Sequence, residues 1–371
     1  MEHAQTLEKT YEELHRLAEP SGGEEKTSLY LKQKLTQAGY DIQEFKNHYG
    51  FYVEWPGEQE EVIALRADMD ALLQEVEGKV RANHSCGHDS HSTMVLHTAL
   101  RIAAEKKKYN HTVRFLFQPS EEIAAGALEM MRSEALKNVV FLAGIHLRPE
   151  HEVPSGKAAP GIRHGTIVSL KGKVTGTPAH AARPEDGTNP IEISSELIER
   201  FRDISIREPF SFKVTEFHGG EASNAIPATC TWTYDIRCRS NEGLDELTDR
   251  AEVEMKKLAS ETGAEISFSL EEFSPAARIN RKAVQKAEKA IREAAGEEAI
   301  DEICESPGAE DFHFYTFHQP EIEATMIGLG CGLKPGLHHP DMTFDTSALI
   351  FGMDILYELL QEADQSTYNE E

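Results

Sequence analysis

Positive charge is scarce in this 371-residue chain: 38 Lys and Arg stand against 64 Asp and Glu, a net charge of −26. Such a field repels phosphate backbones and anionic lipid surfaces, so neither nucleic acid nor a membrane is expected as a partner. An anionic substrate must then be caught by a local group of Arg, His or metal. Cysteine is sparse as well. Five of them (Cys86, Cys230, Cys238, Cys304 and Cys331) form an odd set without the spacing of a disulfide framework, which suits a reducing compartment. No run approaches the roughly 18 apolar residues of a transmembrane helix. The opening "MEHAQTLEKTYEELHRLAEP" reads as an acidic amphipathic helix, without the basic and apolar regions of a secretory signal. The expectation is a cytoplasmic protein. Internal repeats and low-complexity tracts are missing too. What is present, 39% hydrophobic and 27% charged residues, predicts a packed chain long enough for two domains.

Short apolar runs alternate with helical patterns in the first part. "VIALRAD" (62–68), "TVRFLFQ" (112–118) and "VVFLAGIHL" (139–147) read as buried strands, and residues 91–108 between the first two as a helix with a basic end. This alternation predicts an α/β sandwich with ligands at the strand ends. The middle differs. From about Thr166 to Phe273 the order is strand–helix–strand–strand–helix–strand, the ferredoxin-like order of a separate inserted domain. A helix from Arg281, the strand "EATMIGLG" and a last helix resume the first pattern.

Five places carry chemistry, each at the end of a predicted strand or on the loop after it. Asp68 and Asp70, an i, i+2 pair, point their carboxylates the same way in extended chain. "CGHDSH" (86–91) offers Cys86 and His88 around a permissive Gly87, with Asp89 and His91 in supporting roles. In "QPSEE", Glu121 and Glu122 repel one another unless a cation lies between them or one is protonated. His146 closes an apolar strand. In "GLHHPD", one of the tandem pair His338 and His339 can face a given metal. Each alone has a bland alternative: a solvated acidic loop, a small buried cysteine, a rim histidine. Together they supply thiolate, imidazole and carboxylate, a set that suits Zn²⁺ or Mn²⁺ and suffices for two ions, with a spare glutamate to take a proton from activated water.

Eight blocks in order resemble the metallo-aminoacylase/carboxypeptidase family, in its amidohydrolase branch of hippurate, indole-acetyl-amino-acid and N-acyl-amino-acid hydrolases. They are "LRADMDAL", "CGHDSH", "FQPSEE", "GIHLRP", "TGTPAHAARP", "HGGEASNAIPATCTWTYDIR", "GAEDFHFY" and "LHHPDMTFD". The resemblance implies a mixed-sheet α/β/α metallo-exopeptidase-like catalytic domain (1–165 and 274–371) with an inserted ferredoxin-like α+β lid and dimerisation domain (166–273). It implies two divalent ions, Mn²⁺ or Zn²⁺, held by Cys86, His88, Glu122, His146 and His338. Glu121 falls where the family keeps its general base, and Asp70 just behind the ligands. It also implies that His180 reaches the active site of a second subunit to stabilise an oxyanion. Asn224 and Arg237 match residues that hold the free carboxylate of a small-molecule substrate.

Four features depart from the family pattern, one of them "LHHP" where the branch prefers Leu-His-Ser-Pro, so that His339 competes with His338 as a ligand. Asp68-Met69-Asp70 stands where the di-zinc peptidase branch has His-x-Asp, so Cys86 takes over that ligand's part. "DALLQEVEGK" replaces the branch's usual "DALP", and Arg148 stands where an aromatic often follows His146, which would narrow or charge the acyl pocket. The expected reaction is metal-dependent hydrolysis of the amide of an N-acyl amino acid or conjugate. A dipeptidase or carboxypeptidase on the same scaffold would cleave unblocked dipeptides equally well, and a non-catalytic homologue would have no need of Glu121. The H-x-E…P-C-x-x-C signature of zinc deaminases is missing.

Overall fold

The computed structural model describes residues 2–365. It divides into two compact units. One comprises the chain up to Arg163, Arg278–Ser306 and the chain from Glu310 onward; the other comprises His164–Ala277 with Pro307–Ala309.

The first unit is built on a seven-stranded mixed sheet. In spatial order its strands are Ile42–Glu44, Phe51–Trp55, His111–Gln118, Gln59–Asp68, Val139–Pro149, Glu323–Leu333 and Ala158–Ala159. The four central strands run parallel, and the outer ones pair antiparallel. From Val62 on, the strand Gln59–Asp68 is buried at every residue, as expected of a sheet covered on both faces. Ile63, Leu65, Phe115, Ile145 and Leu329 share one core with Val95, Ala99 and Ile102 of helix His88–Glu105 and Ile355 and Leu359 of helix Ala348–Gln365. Parallel strands place all four of their C-terminal ends on one edge, so Asp68, Gln118, Pro149 and Leu333 deliver the following loops to the same side. The helix expected over 91–108 instead runs His88–Glu105. Lys106 adopts a left-handed conformation (φ 50°) that ends it, and the basic residues lie beyond its last turn. The hairpin Leu72–Val76/Lys79–Asn83, the helix Glu25–Gln37 and the first two edge strands add to the elements expected from the sequence.

The second unit is a four-stranded antiparallel sheet in the order Phe210–Gly219, Thr229–Cys238, Thr166–Thr175, Glu265–Ser274, with helices Pro190–Arg202 and Asn241–Thr262. That is the ferredoxin-like arrangement. Val168, Leu170, Trp232 and Ile236 pack on Leu197, Phe201, Leu247 and Met255. Gly172 lies opposite Trp232, and a Cβ there would come within 2.1 Å of the indole. The ring therefore occupies the volume that a side chain at 172 would need. Trp232→Ala is expected to cost about 3–5 kcal/mol in urea unfolding, and Gly172→Ala to destabilise as well by displacing the ring. A Trp232→Ala loss below about 1 kcal/mol would show that the indole does not anchor this core.

Candidate metal centre

Gly87 opens the helix His88–Glu105 with φ 93°, and a Cβ there would press to 2.9 Å on Leu147 Cδ1. Glycine thus lets Cys86 and His88 both approach the sheet edge. Cys86 Sγ lies 3.5 Å from His146 Nε2. His88 Nε2 lies 3.7 Å from Glu122 Oε1, and His338 Nε2 lies 3.6 Å from Glu122 Oε2. Two ligand atoms on one tetrahedral ion, at bond lengths of about 2.0–2.3 Å, are separated by roughly 3.3–3.8 Å. The spacing fits a shared cation. It places one carboxylate oxygen of Glu122 toward His88 and the other toward His338. Of the tandem histidines it is His338 that faces the cluster; His339 Nδ1 accepts the Asp341 N–H instead.

The donor atoms are pre-set for this. Asp70 Oδ1 pairs with His88 Nδ1 at 3.1 Å, and the Leu147 carbonyl accepts from His146 Nδ1 at 2.7 Å. Each bond fixes the tautomer that leaves Nε2 with a lone pair. Asp70 Oδ2 in turn accepts the Ser21 hydroxyl at 2.7 Å and the Glu122 N–H at 3.0 Å, which ties His88 to the Glu121–Glu122 loop. Both carboxylate oxygens of Asp70 are thus taken up by His88, Ser21 and the Glu122 backbone. His88 Nε2 and Glu122 Oε1 are buried yet have no hydrogen-bond partner. Unpartnered buried atoms of this kind are costly unless something binds them.

Electrostatics point the same way. Burial pushes the Glu122 carboxyl up to about 7. Burial, then Glu310, Asp311 and Glu122, raise Glu121 well above the usual carboxylate range. Burial and Glu122 likewise raise the Cys86 thiol, while burial with His91 and Arg148 keeps His146 neutral. A divalent cation would reverse the first three effects at once, because it favours thiolate and carboxylate over their protonated forms. The residues fit a divalent metal. Three left-handed backbones, Ser120 (φ 56°), Ala124 (φ 52°) and His338 (φ 63°), sit in the loops that carry these ligands, the sort of local strain that collects at functional sites.

Beneath the ligands lies a buried ion network that the sequence reading did not single out. Arg66 donates to Asp68 at 2.6 Å, Asp311 at 2.8 Å and Gln118 at 2.8 Å, and lies 3.2 Å from Glu310. Asp68 also accepts from His91 Nδ1 at 2.8 Å, and His91 Nε2 accepts the Leu147 N–H. His91 is thereby consumed in support, as expected. The Asp311 N–H approaches Glu121 Oε1 at 3.3 Å, so the network holds the spare glutamate in place. Glu24 accepts the Ser120 N–H at 2.8 Å and steadies the same loop from the other side. Asp89 pairs with His15 at 2.7 Å and accepts the Ser90 N–H in the first turn of the helix at 2.8 Å. Arg148 is buried against Glu152 and Ser306, so its charge is neutralised and cannot charge a pocket in the way expected.

His180, Asn224 and Arg237 belong to the second unit. There the short ribbon Ala179–His180/Ala225–Ile226 sets His180 beside Asn224, whose carbonyl accepts the Ala181 N–H. Arg237 is half exposed and pairs with Asp235 at 3.0 Å. Arg66→Met would strand three buried carboxylates, and is expected to cost about 3–5 kcal/mol in urea unfolding at neutral pH; an unchanged midpoint would show that the network is not a structural tie.

The sequence matches known proteins over nearly its whole length. A probable hydrolase of Synechocystis sp. is 30% identical over 364 residues, which cover 92% of this chain and 91% of that one. The N-acetyl-L-cysteine deacetylase of Bacillus subtilis is 29% identical over 362 residues, covering 93% and 85%. Among solved structures, a Bacillus subtilis dinuclear metal binding peptidase from M20 family superposes with a TM-score of 0.85 at 23% identity, covering 98% of this chain and 99% of that one. That likeness is one of fold. The pattern of peptidase family M20/M25/M40 matches residues 64–362, a span that contains every segment gathered at this centre from Asp68 to His338, and the chain belongs to that family.

Proposed function

We propose that the protein is a metal-dependent amidohydrolase that cleaves N-acyl amino acids or amino-acid conjugates to a carboxylic acid and a free amino acid. The observation that carries this reading is the convergence of Cys86, His88, Glu122, His146 and His338, with Glu121 beside His88 and Glu122. Cys86, His88 and His146 would hold one ion, and Cys86, Glu122 and His338 would hold a second. The N-acetyl-L-cysteine deacetylase among the relatives supports the substrate class. When bound, the ions supply Lewis acidity and lower the pKa of a water molecule.

Glu121 is the general base. Its buried carboxylate takes the proton from water, which attacks the acyl carbonyl, and then returns that proton to the departing amine. Its Oε2 lies 3.7 Å from His88 Nε2, within reach of anything held there. Arg237 and Asn224 hold the amino acid's carboxylate, a local anchor for an anion in a chain of net charge −26. His180, supplied by the second subunit of a homodimer, donates to the developing oxyanion. A thiolate among imidazoles and carboxylate accommodates either Mn²⁺ or Zn²⁺. All five cysteines are unpaired and buried, in keeping with a cytoplasmic location.

Amino-acid release from acetyl, benzoyl and indole-acetyl amino acids tests the reaction. Release should stop with chelator and return with Mn²⁺ or Zn²⁺; no release from any of them by metal-loaded protein, or equal rates on unblocked dipeptides, would overturn it. Glu121→Ala should lower kcat by at least about 100-fold with metal content unchanged; full turnover in that variant would remove Glu121 from the mechanism. His180→Ala should lower kcat by about 100-fold and, mixed with an inactive Glu121→Ala partner, recover part of it through hybrid dimers.

A further inference from the structure

The hairpin Leu72–Val76/Lys79–Asn83 stands apart from the large sheet, and the reaction described above makes no use of it. Its first strand falls within "DALLQEVEGK". Its polar side chains nonetheless grip the loop that carries His338. Gln74 Nε2 donates to the His338 carbonyl at 2.7 Å. Gln74 Oε1 accepts from Ser85 Oγ at 2.8 Å and from Asn83 Nδ2 at 3.1 Å. Asn83 Nδ2 also donates to the Pro340 carbonyl at 3.0 Å, and the Ser85 carbonyl accepts the His338 N–H at 2.8 Å. Both backbone polar groups of His338 are therefore committed to this one element and the turn that follows it.

His338 needs such a grip more than the other ligands do. Cys86, His88 and His146 are buried and fixed by packing, whereas the His338 side chain is 53% exposed. Its backbone, at φ 63°, lies in a region that residues with a Cβ adopt only when their surroundings impose it. An exposed loop residue in that state relaxes to other conformations unless hydrogen bonds hold it. Glutamine suits the task because its amide donates and accepts at once: it can bond the His338 carbonyl while receiving Ser85 and Asn83. Glutamate would keep only the accepting half and methionine neither. Ser85 precedes Cys86, so the same bonds fix the distance between two members of the Cys86–Glu122–His338 group.

We propose that Gln74 is a positioning residue which holds His338 in its ligating conformation and so sets the affinity of the one ion position that His338 serves. This inference rests on the reading of His338 as a metal ligand. The test is calorimetric titration of Mn²⁺ into chelator-stripped wild type, Gln74→Met, Gln74→Glu and His338→Ala, with thermal melts of each. Gln74→Met should still bind two equivalents, one at the wild-type affinity and the other weakened about 10–100-fold. Raising Mn²⁺ above the new Kd should restore kcat to near the wild-type value. Two equivalents at unchanged affinity, parallel weakening of both, or a kcat deficit that excess Mn²⁺ does not repair would each overturn the proposal. Should Gln74→Met fail to fold, Gln74→Glu, which loses only the donor to His338, carries the same expectation. The His338→Ala titration separates the two levels. If it keeps both equivalents at full affinity, the ligand reading itself fails. If it loses one while Gln74→Met is unaffected, that reading stands and the role of Gln74 falls.

Discussion

A single guanidinium under the sheet edge, that of Arg66, joins three parts of the chain that are far apart in sequence. It reaches Asp68 at the end of its own strand, Gln118 at the end of the neighbouring strand, and Glu310 and Asp311 almost 250 positions later. One cation facing three enclosed carboxylates is tolerable only because every partner lies within hydrogen-bonding reach and further donors share the load: Gln118 Nε2 and the Ala127 N–H on Asp311, and His91 on Asp68. The loops that present Glu121 and Glu122 begin directly from this frame. If it loosened, the strand ends would still form, but the glutamates would lose the fixed relation to His88 on which the chemistry depends.

Above that frame the candidate ligands form a graded set. His88 and His146 are buried and each has its outer nitrogen committed, to Asp70 and to a backbone carbonyl. Glu122 is held through its backbone by Asp70. His338 is the outlier, exposed and carried on a loop. The site is thus a stiff floor with one adjustable wall, in line with the general need to fix reacting groups by the shell behind them.

Much of this was legible in the sequence because the ligands sit in short, dense motifs at the ends of apolar runs, where polar residues have few innocent reasons to be. Asp68 and Asp70 do reach the same helix turn, though the strand ends between them and each takes a different histidine. The supporting residues were harder to see for a physical reason. Arg66 lies inside "VIALRAD", where the apolar run conceals a charge whose partners come from remote segments; a lone arginine in a buried strand was the available signal. Glu310 and Asp311 could be quoted as a motif, but not connected to Arg66 without the fold. Glu24 and Ser21 look like ordinary turn residues ahead of a helix. Gln74 gave no signal, because its role is defined by a carbonyl 264 positions away. The ferredoxin-like unit was readable from strand and helix order alone, although its sheet pairs the first strand with the third and the fourth.

The candidate ligands also have an order in time. Cys86, His88, Glu122 and His146 all precede the second unit, and His338 follows it. At roughly 5–20 residues per second, a ribosome takes on the order of 10–40 s to travel from His146 to His338. Over that interval the growing chain exposes four donors of the set without the fifth, and without Glu310 and Asp311 to neutralise Arg66. Placing the second unit between the fourth and fifth candidate ligands therefore delays completion of the set until that unit has been made.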